Sequence, residues 1–178
     1  MRQWGVGNTF NSFSRLPAIP FRRVNCRGSL SYDPGLQRHH ILPLQLLSVG
    51  ACEAMFSAIG RKRIGFDDFR ANGLLLPANE NAALRIGMPL HRGPHRHYNL
   101  VVIARVGRIE ESWSAERAQN PDAALRSALF RLSLLQDALR RRLLAERRRL
   151  VLNKNDPLGT GYDFTELDAM AEQLWSAR

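Results

Sequence analysis

The chain has little cysteine, and this limits how its fold can be stabilised. Cys26 and Cys52 are its only two cysteines, and they do not form a C-x-x-C pair. A disulfide framework and a cysteine-based zinc ribbon are therefore both disfavoured. We expect two reduced thiols in a cytosolic protein, with a single bridge between these two residues as the alternative.

The chain also lacks long hydrophobic segments. It contains no run of about 18 apolar residues, so the sequence predicts no transmembrane helix. The first residues, MRQWGVGN, lack the apolar region of an ordinary secretory signal. We expect no membrane partner and a cytoplasmic location, with delivery into a target cell by a specialised secretion route as the alternative.

Acidic residues are few relative to basic ones. The chain has 26 Lys and Arg but 16 Asp and Glu, which gives a formal net charge of +10. Such a charge attracts polyanions and favours phosphate binding through the release of counterions. The composition therefore favours a nucleic-acid partner. The alternative is a basic protein whose charge only prevents self-association.

Length and local composition predict one domain with three parts. A chain of 178 residues can bury a substantial core but is short for two domains. Residues 1–35 predict an irregular basic arm, whose aromatic side chains dock it onto the domain or stack on bases. Residues 36–104 contain all five histidines and form the expected catalytic core. Residues 105–178 predict a helical extension packed on that core, which makes the fold mainly helical α+β.

Hydrophobic periodicity and turn residues predict the elements of the core. Short strands are expected at His39–Leu42, before a proline, and at Gly73–Pro77. A helix is expected over Leu44–Ile59. Gly50 weakens this helix, and Gly60 is placed to close it.

The second half of the chain is predicted to be helical. A helix is expected to start at Pro94, since proline is tolerated in a first turn. The run Leu100–Ala104 either continues this helix or begins a strand. Asn120-Pro121 predicts the start of a helix of about thirty residues with one apolar stripe. Thr165–Asp168 resembles a capping box and predicts a last helix, ending near Trp175.

Four of the five histidines lie in two clusters, His39-His40 and His91 with His95. Neutral imidazole is a common metal ligand, and its free pKa of roughly 6.5 suits it to take a proton near neutral pH. Positions i and i+4 of a helix share one face, so a helical segment would direct His91 and His95 to one metal. Neighbours on a strand point to opposite faces, so only one of His39 and His40 is expected to face that metal.

The order of three short motifs is more specific than either histidine pair. Taken alone, His39-His40 is more often a satisfied polar pair, and His91 with His95 an exposed helix start. Together, His39-His40-Ile-Leu-Pro43, Asn72-Gly-Leu-Leu-Leu-Pro77 and His91-Arg-Gly-Pro-His95-Arg-His-Tyr98 resemble the AHH family of the HNH/endonuclease VII group of nucleases. The resemblance covers about residues 36–103, and Arg38 stands where the family's name places alanine. It implies a ββα-metal (His-Me) finger.

The resemblance also implies a role for each motif residue. His40 would be the general base that activates water, and Asn72 would tie the loop between the strands and hold His40 in place. His91 and His95 would bind one divalent cation, Mg²⁺, Mn²⁺, Ni²⁺ or Zn²⁺. His39 would be a third ligand or would orient the site. The metal would stabilise charge on the leaving 3′ oxygen.

The implied activity is metal-dependent hydrolysis of phosphodiester bonds, with DNA favoured over RNA and little sequence specificity. Tyr98 matches a family position and would support or pack the site. Phosphate contacts are expected from Arg38, Arg61, Lys62, Arg63, Arg92 and Arg96. The arm arginines Arg22, Arg23 and Arg27 are further candidates. The basic cluster at 140–149 fits phosphate binding and a solvated helix end equally well.

Two further expectations concern the biological setting and the alternative function. Relatives of this kind are often toxins, and a toxin would have a cognate immunity protein as its partner. The alternative function is a non-catalytic nucleic-acid-binding module that retains a metal-stabilised finger. The presence of all four clustered histidines disfavours it, because a structural remnant has no need of a free base. A helical interaction protein is a third, weaker alternative.

Overall fold

Helices make up most of the regular structure of the described chain, and one pair of strands supplies the rest. The computed structural model describes residues 17–146, 150–159 and 169. Short 3₁₀ helices lie at Phe21–Arg23 and Leu44–Ser48. The expected mainly helical α+β class is confirmed. In chain order the strands and α-helices are β1 (Leu36–His40), α1 (Gly50–Ile59), α2 (Arg61–Ile64), α3 (Phe69–Asn72), β2 (Gly73–Pro77), α4 (Glu80–Ile86), α5 (Arg96–Arg117) and α6 (Pro121–Leu144).

The two strands pair antiparallel and bring the first histidine pair to one end of the sheet. The register runs from Leu36 opposite Pro77 to His40 opposite Gly73. β2 occupies the residues predicted for it, whereas β1 starts earlier than predicted and ends at His40. The reason is that His40 faces the first residue of β2, so the sheet offers no further partner. The next amide, that of Ile41, instead donates to the carbonyl oxygen of Asn72 at 2.8 Å.

The segment predicted as one helix over Leu44–Ile59 divides into a 3₁₀ helix and α1. Val49 between them has extended backbone, with φ −84° and ψ 105°. Gly50 then becomes the first residue of α1 instead of an interior one, so its low helix propensity costs little. Gly60 ends α1, as predicted, with a φ of 85° that favours glycine. α1 packs against α5 and α6, which accounts for the long stretch between the two strands.

The second half of the described chain is a hairpin of two long helices. α5 continues through the run at 100–104, so the predicted boundary between residues 104 and 105 lies inside one helix. α6 starts at Pro121 after Asn120, as predicted, and ends after 24 residues at Leu144. The predicted last helix, from Thr165 to Trp175, lies outside the described residues apart from residue 169. No helix of the described chain is both long and apolar enough to cross a membrane.

One hydrophobic core joins the helices to the sheet. It includes Met55 of α1, Val106 of α5 and Leu132 of α6, together with Ile41 and Leu42 just after β1. The residues that directly follow the histidine pair are therefore fully buried, with 0% exposure. Burial fixes the end of β1 on the core, and this is the part of the fold that positions the site.

Removing the cap of α6 tests how its start is stabilised. The Asn120 side chain accepts a hydrogen bond from the Ala123 amide at 3.0 Å. We expect Asn120→Ala to lower the free energy of unfolding by about 1 kcal/mol, because this amide loses its partner. Asn120→Ser keeps an acceptor oxygen and is the matched control. Urea denaturation followed by circular dichroism measures both, and equal midpoints for the two variants would contradict the capping role.

Candidate active site

Three histidines from separate parts of the core meet at one point. The ring centroids of His39, His91 and His95 lie 4.8 to 5.1 Å apart. One nitrogen from each ring can be chosen so that all three nitrogens lie within 4.8 Å of one another. The structure thus brings together the three residues that the sequence predicted as ligands.

His39 is the most deeply buried residue of this cluster. Its side chain is 1% exposed, while its neighbour His40 is only half-buried, as expected for adjacent positions on a strand. Neither nitrogen of the His39 ring has a hydrogen-bond partner among the described residues, and the same is true of Nδ1 of His91. A buried polar atom without a partner is costly, and a bound metal ion would give one nitrogen of each ring a partner.

The prediction that His91 and His95 share one face of a helix is wrong. His91 lies in an irregular loop, residues 87–95, and His95 is the N-cap residue of α5, which begins at Arg96. Gly93 has a φ of 74°, and a residue before proline is disfavoured in the helical region. Gly93-Pro94 therefore breaks the expected helix. The two imidazoles converge through the path of the loop, not through helical spacing.

Burial keeps the clustered histidines neutral. It lowers the pKa of His39 well below its ordinary value, and the neighbouring histidines lower it further. Burial, followed by repulsion from His95 and His40, lowers the pKa of His91 to about 4. The pKa of His95 is lowered by burial, against a hydrogen bond to the Gly93 carbonyl. Neutral imidazoles are the form that binds metal ions.

His40 lies outside the cluster and stacks on Phe21 of the arm. The two rings are 3.8 Å apart at their centroids and tilted by 7°, and Phe21 also meets the edge of Phe69 at 5.2 Å. Burial lowers the pKa of His40, with Asp67 opposing and Arg38 reinforcing the shift. Phe21 therefore contacts both rings and covers one face of the His40 imidazole. The predicted arm aromatics Trp4, Phe10 and Phe13 lie outside the described residues.

Asn72 connects the ends of the two strands through its side chain. Its Oδ1 accepts from the Leu42 amide at 2.7 Å, and its Nδ2 donates to the carbonyls of Leu42 at 3.1 Å and Phe66 at 3.2 Å. Gln136 of α6 donates a further bond to Oδ1 at 3.3 Å. The residue is fully buried. The side chain thus bonds both ends of the loop between the strands. That it holds His40 in place for catalysis stays a prediction from the family resemblance.

Arg140 is a second support that the sequence did not identify. Its guanidinium donates to the carbonyls of Arg70, Ala71 and Gly73 at 2.8 to 3.2 Å. Desolvation lowers its pKa, with Asp137 opposing the shift. Arg140 therefore holds the turn from α3 into β2. This contact is neither the phosphate binding nor the solvated helix end that was predicted for its cluster. Helical periodicity gives no signal for such a contact, because its partners lie about seventy residues away in sequence.

Tyr98 packs beneath the cluster. Its hydroxyl donates to the carbonyl of Ile41 at 2.7 Å, and its ring lies 5.2 Å from that of His39. Burial raises the pKa of this hydroxyl, so it stays protonated and keeps the bond. Tyr98 thus links the start of α5 to the end of β1.

The predicted phosphate-contacting residues divide into several groups. Arg38 donates to the Phe21 carbonyl at 2.9 Å and lines a cleft with Arg22 and Arg27. Arg61 pairs with Asp67 at 2.6 Å, so its charge is partly neutralised. The remaining predicted residues are exposed on α2, on the histidine loop and at the start of α5: Lys62, Arg63, Arg92 and Arg96.

The chain matches the model of a known protein family. The sequence model of the AHH family matches residues 21–138. This family is described as a nuclease family of the HNH/ENDO VII superfamily with conserved AHH. The matched range contains both strands, the three clustered histidines and most of α6. Comparisons with curated proteins and with solved structures give no match.

The bonds of Asn72 predict a large effect on stability. Asn72→Ala would leave buried amide and carbonyl groups without partners, so we expect the free energy of unfolding to fall by about 2–4 kcal/mol. Asn81→Ala, at an exposed position of α4, is the matched control and should change it by less than about 0.5 kcal/mol. Urea denaturation measures both. Similar midpoints for the two variants would show that Asn72 does not stabilise this end of the sheet.

Proposed function

Because the chain belongs to the AHH family of nucleases within the HNH/endonuclease VII superfamily, we propose that it is a metal-dependent endonuclease acting on nucleic acid, with DNA favoured. The observation that carries the proposal is the cluster of three neutral imidazoles, which includes buried nitrogens without partners. The toxin role and the immunity-protein partner remain predictions from the family resemblance.

The donor set fits a divalent metal ion held by His39, His91 and His95. Imidazole nitrogen suits Zn²⁺ and Ni²⁺, whereas Mg²⁺ prefers oxygen ligands, so the set favours a transition metal. Three protein ligands leave coordination positions open. When bound, the ion would supply Lewis-acid stabilisation of negative charge on the reacting phosphate.

His40 is the proposed general base. Its lowered pKa keeps the ring neutral near neutral pH, so it can accept a proton from an attacking water. The stack with Phe21 limits ring rotation, and Asn72 anchors the backbone just beyond His40. His40 is the strand neighbour of His39, so it lies beside the histidine cluster. This arrangement separates proton transfer at His40 from metal binding at His39.

A basic cleft beside β1 is the proposed path of the nucleic-acid backbone. The cleft has a volume of about 670 Å³ and is lined by Arg22, Arg27, Arg38 and Tyr32, among others. No acidic residue is among the described residues that line it. The side chain of Asn25 closes the loop between residues 25 and 36, since it bonds the backbone of Asp33 and Leu36. The cleft adjoins His40 because Arg38 is two residues from it on the same strand.

A plasmid-nicking assay with separate metal-binding measurements tests the proposed roles. We expect cleavage with at least one of Zn²⁺, Ni²⁺, Mn²⁺ and Mg²⁺, and its loss with EDTA. His91→Ala should lose both metal binding and cleavage. His40→Ala should keep metal binding but cleave about 10²–10⁴-fold more slowly, since it removes only the base. An RNA substrate run in parallel tests the preference for DNA.

His97→Ala is the matched control for these variants, because His97 is exposed on the first turn of α5. It should cleave at the parent rate. Cleavage by His40→Ala at the parent rate would exclude His40 as the base. Nucleic-acid binding without cleavage in any metal would instead favour the non-catalytic module.

Salt dependence of binding tests the cleft. In the His40→Ala background, Arg22→Ala and Arg27→Ala should each weaken binding to oligonucleotides of any sequence. Each should also reduce the slope of log K against log salt by about 0.9 for a lost duplex phosphate contact. Arg126→Ala, at an exposed position of α6, is the control and should leave the slope unchanged. Fluorescence anisotropy measures binding by all three variants. Equal salt slopes for the three would show that the nucleic-acid backbone does not follow this cleft.

A further inference from the structure

The segment 150–159 lies against the histidine loop and holds both sides of His91. Oδ2 of Asp156 accepts a hydrogen bond from the Leu90 amide at 2.9 Å. The side-chain amide of Asn153 donates to the carbonyl of Arg92. The residues immediately before and after His91 are therefore both bonded to this segment.

These anchors matter because the histidine loop has no regular hydrogen-bonding pattern around His91. The amide of His91 itself donates to the carbonyl of Pro77, at the end of β2, at 2.7 Å. Three consecutive residues, 90 to 92, are thus each held by a group outside the loop. Two of the three groups belong to the segment 150–159.

The segment is itself well fixed. Asp156 is 7% exposed, and its Oδ1 accepts from the Leu158 amide at 3.0 Å, so both carboxylate oxygens are bonded. The amides of Asp156 and Gly159 donate to the carbonyls of Asn153 and Asp156, each at 3.0 Å. Residues 150–152 are buried, two of them within the main core. The carboxylate is therefore presented from a hydrogen-bonded turn that directly follows core residues.

We propose that Asp156 is a positioning residue for the metal centre, acting through the backbone of the histidine loop with Asn153 as a second anchor. It fixes the backbone of His91 so that the imidazole faces His39 and His95. The inference rests on the proposed metal centre. It assigns a role to residues beyond 138, where the family match ends.

The expected effect follows from preorganisation. A ligand on an unsupported loop must be ordered when the ion binds, and outer supports of metal sites commonly change affinity by about 10–100-fold. Asp156→Ala removes both acceptor oxygens and should weaken metal binding by that factor. Asp156→Asn keeps one acceptor oxygen, but its side-chain NH2 group would face the second of the two backbone amides. It should therefore have a smaller effect of the same sign.

The test is titration of the metal-free full chain with Co²⁺ and with Zn²⁺. Visible absorption of bound Co²⁺ reports ligand geometry, and competition with a chelating dye gives the affinities. The control is Asp122→Asn in the first turn of α6, at the far end of the hairpin from His95. The 22 residues of α5 separate these positions by roughly 30 Å, at 1.5 Å per residue. Circular dichroism of the metal-free variants verifies folding.

The expected result is a lowered affinity and an altered Co²⁺ spectrum for Asp156→Ala, with the Asp122→Asn values equal to those of the parent. If Asp156→Ala does not fold at the assay temperature, Asp156→Asn decides by the same two readouts. A folded Asp156 variant with the affinity and spectrum of the parent would overturn the inference and leave the metal centre intact. A parent that binds neither ion would overturn the metal centre and, with it, this inference.

Discussion

The organisation of the candidate site depends on the buried side chain of Asn72. Its hydrogen bonds with the Leu42 backbone join the end of β1 to the start of β2, at the point where the strands no longer pair. Ile41 keeps its own bonds to the Asn72 backbone and to Tyr98, but without the Asn72 side chain the amide and carbonyl of Leu42 would lose these partners. Ile41 and Leu42 are buried beside it, so the same side-chain amide lies where the end of β1 meets the hydrophobic core.

A fixed strand end gives adjacent histidines different environments. His39 faces the protein interior, where His91 and His95 meet it, and His40 faces the arm and stacks on Phe21. Burial favours the neutral form of both rings, but for different uses. In the proposed roles, neutral His39 would offer a lone pair to a metal, whereas neutral His40 would offer one to a proton. The alternation of a β-strand is sufficient to separate the two proposed roles by one residue.

Local signals predicted much of the fold but less of the site. The strand at Gly73–Pro77 and the helix start at Asn120-Pro121 depend on nearby residues, and both are found where predicted. Phe21 and Arg140 gave no such signal, because their contacts with His40 and with the turn before β2 join residues far apart in sequence. Sequence periodicity reports which residues are buried in an element, and it does not report which distant groups meet.

The loop that carries His91 and His95 obtains its geometry differently from the helix that the sequence predicted there. A helix through His91 and His95 would set their spacing by its own hydrogen bonds and would need little help. Gly93-Pro94 prevents that helix, so the spacing must come from bonds to other parts of the chain. Pro77 of β2 and Asp156 of the segment 150–159 supply such bonds. The break in the helix therefore both allows His91 to reach His39 and makes the geometry of the centre a property of the tertiary fold.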